Sequence, residues 1–77
     1  MTLNQLKLHE TGYIKNLNCA PSVKRRLLDL GLIQGTKITP IFVSPSGDPT
    51  AFEVRGTVIA IRVEDTSLID VSVLQWI

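Results

Sequence analysis

The sequence predicts a mainly β domain, a small barrel of about five strands with one short helix, and three observations predict it. Apolar and polar residues alternate with a period of two through most of the chain after Gly35. Clusters of Gly, Pro, Ser and Asp interrupt that alternation every few residues. The spacing becomes helical only once, between Pro21 and Gly31. Short β-branched strands of this kind form a sheet that closes on itself to remove its edges, with the helix tucked against one end as a plug.

Leu3, Leu6 and Leu8, then Tyr13, Ile14 and Leu17, flank a turn at His9-Glu10-Thr11-Gly12, which reads as an opening strand or strand pair with Gly12 supplying the turn's positive φ. The helix follows over residues 21–30. Pro21 suits its first turn, where a missing N–H costs nothing, and Gly31 suits the position just past its end. Val23, Leu27 and Leu30 recur at i, i+4 and i+7 and form its packing stripe. In the next strand Ile38, Pro40 and Phe42 alternate with Lys37, Thr39, Ile41 and Val43, and Pro40, which has no ladder donor, marks an edge or a bulge. Ser44-Pro45-Ser46-Gly47-Asp48-Pro49 turns the chain into a hairpin strand at 51–55, where Phe52 and Val54 alternate with Glu53 and Arg55. Gly56 breaks it before a strand at 57–63, with Ile59, Ile61 and Val63 on one face. Glu64-Asp65-Thr66-Ser67 reads as a polar turn, and Ile69, Val71 and Val73 belong to a last strand.

A chain of 77 residues has room for one domain, 1–77. At that size folding buries only about 60–65% of the unfolded surface, so a deep, dry catalytic cavity has no space. Yet 44% of the residues are hydrophobic and the mean hydropathy is +0.22, more apolar content than so thin a core hides. Some of it belongs on a surface that meets a partner or a second copy of the chain. Eight Lys and Arg against seven Asp and Glu leave a net charge of +1, which gives no field to draw the chain onto nucleic acid or anionic lipid. The first ten residues lack the pattern of a signal peptide, and no apolar run approaches the ~20 residues of a membrane helix. Together with a single cysteine, these features point to the cytoplasm.

The residues able to do chemistry are few. One histidine, His9, sits beside a turn as a solvated residue, and Cys19 reads as a small buried or half-buried thiol. His9, Glu10 and Cys19 match no closed metal arrangement, and no nucleophile has a placed base, so neither a catalytic set nor a metal or cofactor site is expected. Gly31-Leu32-Ile33-Gln34-Gly35 places its glycines at a helix exit, whereas phosphate loops place theirs at an entrance. The informative feature is Lys24-Arg25-Arg26, three cations in the half of the helix whose dipole favours anions. One reading is a solvated face with Arg25–Asp29 and Arg26–Asp29 pairs. The other is a docking surface for an acidic patch, in which Lys24, Arg25 and Arg26 act with the loop residues Leu32 and Gln34, Leu32 being the apolar anchor. Trp76 reads either as a staple of the carboxyl end onto the barrel, the favoured reading, or as an exposed anchor.

Arg25-Arg26-Leu27-Leu28-Asp29-Leu30-Gly31-Leu32-Ile33-Gln34-Gly35-Thr36, then Pro45-Ser46-Gly47-Asp48-Pro49, then Ile59-Ala60-Ile61-Arg62 with Glu64-Asp65, resemble the FeoA family in order and spacing, along nearly the whole chain. That resemblance implies an SH3-like barrel without enzymatic activity, a cytoplasmic component of bacterial ferrous iron uptake that associates with the G-protein domain of the membrane transporter FeoB. Ile61 stands where the family often has leucine. The alternative is an SH3-like barrel that binds nucleic acid or serves as a metal-responsive regulatory module, and the scarcity of aromatic residues for base stacking weighs against nucleic acid.

Overall fold

The alternating segments resolve into one antiparallel sheet of β1 (Gly12–Leu17), β2 (Lys37–Val43), β3 (Thr50–Val54), β4 (Thr57–Ile61) and β5 (Ile69–Ser72), in the spatial order β4-β3-β2-β1-β5. The computed structural model describes residues 1–73, so Trp76 lies outside the described residues. Helix α1 (Pro21–Asp29) joins β1 to β2, and a single helical turn, α2 (Val63–Thr66), joins β4 to β5. Every strand contributes to one core: Ile14 from β1, Ile38 from β2, Phe52 and Val54 from β3, Ile61 from β4, and Ile69 and Val71 from β5, with Leu27 from α1.

Helix α1 ends in a complete Schellman motif. Leu30 is the C-cap and Gly31 takes the left-handed conformation at φ 97°. Gly31 N–H donates to the Leu28 carbonyl and Leu32 N–H to the Leu27 carbonyl, both at 3.0 Å. The motif characteristically pairs an apolar residue two beyond the cap with one in the last turn. Here these are Leu32 and Leu27, both fully buried in the core. Leu30, expected on the packing stripe with Val23 and Leu27, is 45% exposed instead, and Leu32 is the residue the motif packs beside Leu27.

Several local expectations give way to tertiary packing. The amino-terminal leucines form no strand: Leu3–Gln5 is a 3-10 turn in which Thr2 N–H donates to the Gln5 Oε1 at 2.8 Å. The three-residue period of that turn brings Leu3 and Leu6 into the core and leaves Leu8 outside. The positive φ falls on His9, at 69°, and not on Gly12. Gly12 is needed for a different reason, since a Cβ there would stand 2.9 Å from Leu6 Cδ1. Pro40 lies in an interior strand, so it marks a bulge and not an edge. The register against β3 shifts between Pro40 and Phe42, and Phe42 turns outward, 59% exposed, instead of following Ile38 inward.

Arg55 leaves the strand to form, with Gly56, a two-residue turn in which both have positive φ, 54° and 79°, as a type I′ hairpin demands. Val63 does not continue β4. It opens α2, is exposed, and donates its N–H to Asp48 Oδ1 at 2.9 Å. Residues 64–67, read as a polar turn, supply the rest of that helical turn and its cap, with Thr66 buried beneath it.

The sheet does not close through hydrogen bonds between β4 and β5, its two edges. The β5 edge is covered by the amino terminus: Val71 N–H donates to the Met1 carbonyl at 2.8 Å, and Thr2 bridges Asp70. Among the described residues, no strand covers β4.

Cys19, at the core's margin, points its thiol at the Asp65 carbonyl over 3.8 Å. Burial, and secondarily the Asp65 carboxylate, push the thiol above its ordinary pKa.

Three outcomes follow for stability. Gly31→Val should lower the melting temperature sharply, because a β-branched side chain resists φ 97° and its Cβ would stand 3.0 Å from Arg55 Cδ. In chemical denaturation, Leu27→Ala and Leu32→Ala should each cost about 2–5 kcal/mol, as buried leucines do. Because the folded thiol of Cys19 holds its proton to higher pH than the unfolded one, its contribution is intact below about pH 8.5 and falls as pH rises beyond it. A Cys19→Ala variant should therefore lose less stability than the native chain between neutral and alkaline pH.

Candidate partner-binding surface

The basic triplet occupies more than one side of α1. Val23 and Leu27 form the buried stripe, and Arg25 lies on the opposite side of the helix. Lys24 and Leu28, four residues apart, share one flank, while Ser22 and Arg26, also four apart, share the other. Lys24, Arg25 and Arg26 are all exposed. Ion pairing within 4.0 Å among the described residues is confined to Arg62 and Asp48, so the expected Arg25–Asp29 and Arg26–Asp29 pairs are not made.

Leu32 cannot act as a surface anchor. It is 0% exposed because the Schellman motif directs it onto Leu27. Its neighbours are the exposed ones: Leu28 (40% exposed), Leu30 (45%) and Ile33 (48%) all lie near the carboxyl end of the helix, with Gln34 exposed as well. Two signals in the sequence point to these residues. Adjacent Leu27 and Leu28 are about 100° apart around a helix, so both cannot face the core. Once Gly31 is recognised as the cap, the motif itself assigns Leu32 inward and leaves Ile33 free.

On the other flank, Arg26 faces a groove of about 520 Å3 that it lines with Ser22, Val23, Pro49, Ala60, Arg62, Glu64 and Asp65. Of the groups read as chemically able, His9 is exposed in its turn and Cys19 is buried. Among the described residues, no three His, Cys, Asp or Glu side chains converge to hold a metal ion. A helix face with cations along it and exposed leucines at its end can recognise another protein.

Known proteins are similar to this chain in sequence and fold. A Campylobacter jejuni protein named as an Fe(2+) transport protein A is 30% identical over 74 residues, 96% of this chain and all of that one. The FeoA protein of Chlorobium tepidum is 32% identical with a TM-score of 0.92, over 96% of this chain and 70% of that one. Stenotrophomonas maltophilia FeoA, crystallised with zinc and described as a prokaryotic SH3 domain protein, is 28% identical with a TM-score of 0.83, over 94% of this chain and 89% of that one. The fold is thus SH3-like. The FeoA domain pattern matches residues 1–73, from the amino-terminal turn that covers β5 to the end of β5 itself, and the chain belongs to the FeoA domain family.

Proposed function

We propose that this chain is a non-catalytic accessory of ferrous iron uptake that works in the cytoplasm by binding the G-protein domain of the membrane transporter FeoB. The observation that carries the reading is the surface at α1, where among the described residues Lys24 and Arg25 have no acidic partner within 4.0 Å and Leu28, Leu30 and Ile33 near the end of the helix are exposed. Apolar side chains grouped at one end of a helix lose water favourably only when something covers them. The neighbouring cations give such a partner its charge preference, an acidic patch. The family, and the iron transport name of the Campylobacter jejuni relative, supply the context in which this partner is sought. No described helix is long and apolar enough to cross a membrane, so the reading makes contact with the transporter through protein surface.

Titration of the isolated G domain, loaded with GDP or a GTP analogue, tests the proposal. Lys24→Glu/Arg25→Glu should slow association about tenfold at low salt, with the difference shrinking as salt rises. Leu28→Ala and Ile33→Ala should each weaken affinity about tenfold, chiefly through faster dissociation, as truncated apolar anchors do. Identical affinities across these variants would remove the α1 surface from the proposal.

A further inference from the structure

The outer edge of β4 has no neighbouring strand among the described residues. The turn Arg55–Gly56 closes directly on Val54 and Thr57, so Thr57, Ile59 and Ile61 direct their N–H and C=O groups to β3. Those of Val58 and Ala60 therefore point outward, and no turn, loop or cap bond among the described residues engages them. Edge strands are usually guarded by a lysine, a proline or a bulge. Thr57-Val58-Ile59-Ala60-Ile61 has none of these, and its register against β3 is unbroken. The opposite edge, by contrast, is covered by Met1 and Thr2.

Helix α1 runs alongside this edge in the opposite direction. At its start, Ser22, Val23 and Arg26 share the 520 Å3 groove with Ala60 and Arg62 from the end of β4. Just beyond its end, Gly31 lies against the Arg55 side chain, at the start of β4. An open strand edge with a helix beside it and a groove between them is the setting in which extended peptides add to a sheet. The polyproline mode, which needs an aromatic-lined groove, is not provided for: Phe52 is in the core, Tyr13 is half-buried, and Phe42 alone of the described aromatics is exposed.

Charge selects among occupants. Arg55 and Arg62 bracket β4; among the described residues Arg55 has no ion pair, and Arg62 meets Asp48 only at 3.9 Å. Glu64 and Asp65 line the groove from α2, but the strand itself is flanked by cations. Antiparallel pairing of β4 with a second copy, centred on Ile59, sets Thr57 against Ile61 and Val58 against Ala60. It also brings Arg62 of each copy to the end of the strand pair that holds Arg55 of the other, so cations meet cations at both ends, where carboxylates would be the complementary charge. We propose that β4 takes up, as a sixth strand, an extended segment of a different protein that carries β-branched or apolar residues at alternate positions and a carboxylate near each end to meet Arg55 and Arg62. This surface is separate from Lys24, Arg25 and Leu28, and its occupant does not depend on the reading of α1 given above.

The test uses the full chain, labelled with nitrogen-15, and two capped peptides, Asp-Thr-Val-Thr-Val-Thr-Asp and the same sequence with lysine at both ends. The acidic peptide should shift the Val58 and Ala60 amide resonances and slow their hydrogen exchange at least tenfold, and the lysine peptide should bind at least tenfold more weakly. Ala60→Pro deletes one outward N–H while sparing the β3 ladder, a place where edge strands tolerate proline, and should abolish the effect. Should that variant fail to fold, Arg55→Glu/Arg62→Glu decides alone by reversing the peptide preference. Shifts confined to other residues, equal binding of both peptides, or a concentration-dependent dimer already protecting Val58 and Ala60 would each overturn the proposal.

Discussion

The contact of Leu27 with Leu32 across the left-handed Gly31 is the constraint on which the rest of this small structure depends. It closes the end of α1, reverses the chain and commits both leucines to the core. The loop that leaves this reversal is then held to β1: Gly35 N–H donates to the Ile14 carbonyl at 2.7 Å, and Ile14 N–H donates to the Thr36 carbonyl at 2.9 Å. That pair of bonds starts the pairing of β1 with β2 one residue before Lys37, opposite Tyr13. Placement of the helix and register of the central strands are thus parts of one arrangement. The same reversal brings Gly31 under Arg55, where a cation meets the negative end of the helix dipole.

Much of this was legible in the sequence because it rests on local rules. Pro21 and Gly31 bound α1 for reasons of backbone geometry alone, and the alternation of Phe52 and Val54 with Glu53 and Arg55 survives in the burial of β3. What local rules could not supply was decided by packing between distant residues. Leu3 and Leu6 show no strand or helix period long enough to read, and their burial depends on a glycine at position 12 that admits Leu6. Phe42 belonged to an alternating series until the Pro40 bulge moved it to the opposite face. Full closure of the barrel was expected because edges are hazardous, yet here a covering terminus deals with one edge and, among the described residues, no strand covers the other.

The candidate surface was legible to the same depth. Position against the helix dipole singled out Lys24, Arg25 and Arg26, and all three are exposed. Which way each points required knowing that Val23 and Leu27 define the buried stripe. That stripe sends Arg26 to the groove beside Ala60 and Arg62, leaving Lys24 and Arg25 with Leu28. The error at Leu32 had a physical source: a leucine between two glycines looks like loop, and loops look exposed, but the cap that explains the first glycine also buries the residue after it.

Apolar content that exceeds the capacity of a thin core must be distributed somewhere, and its placement here is uneven. The inner layer takes one or two large residues from each strand and is complete without Leu28, Leu30, Ile33, Phe42 or Val58. None of these residues belongs to the buried cluster, and exposed side chains of that size raise the hazard of association. Phe42 and Val58 lie on the outer face of the sheet, on either side of β3, whereas Leu28, Leu30 and Ile33 gather where α1 ends. Between the helix and the sheet runs the groove with Arg26 and Arg62 on its walls. The same Leu27–Leu32 closure that completes the core also sets Gly31 against Arg55 at the start of β4, so the helix and the strand that border this groove are positioned by one contact.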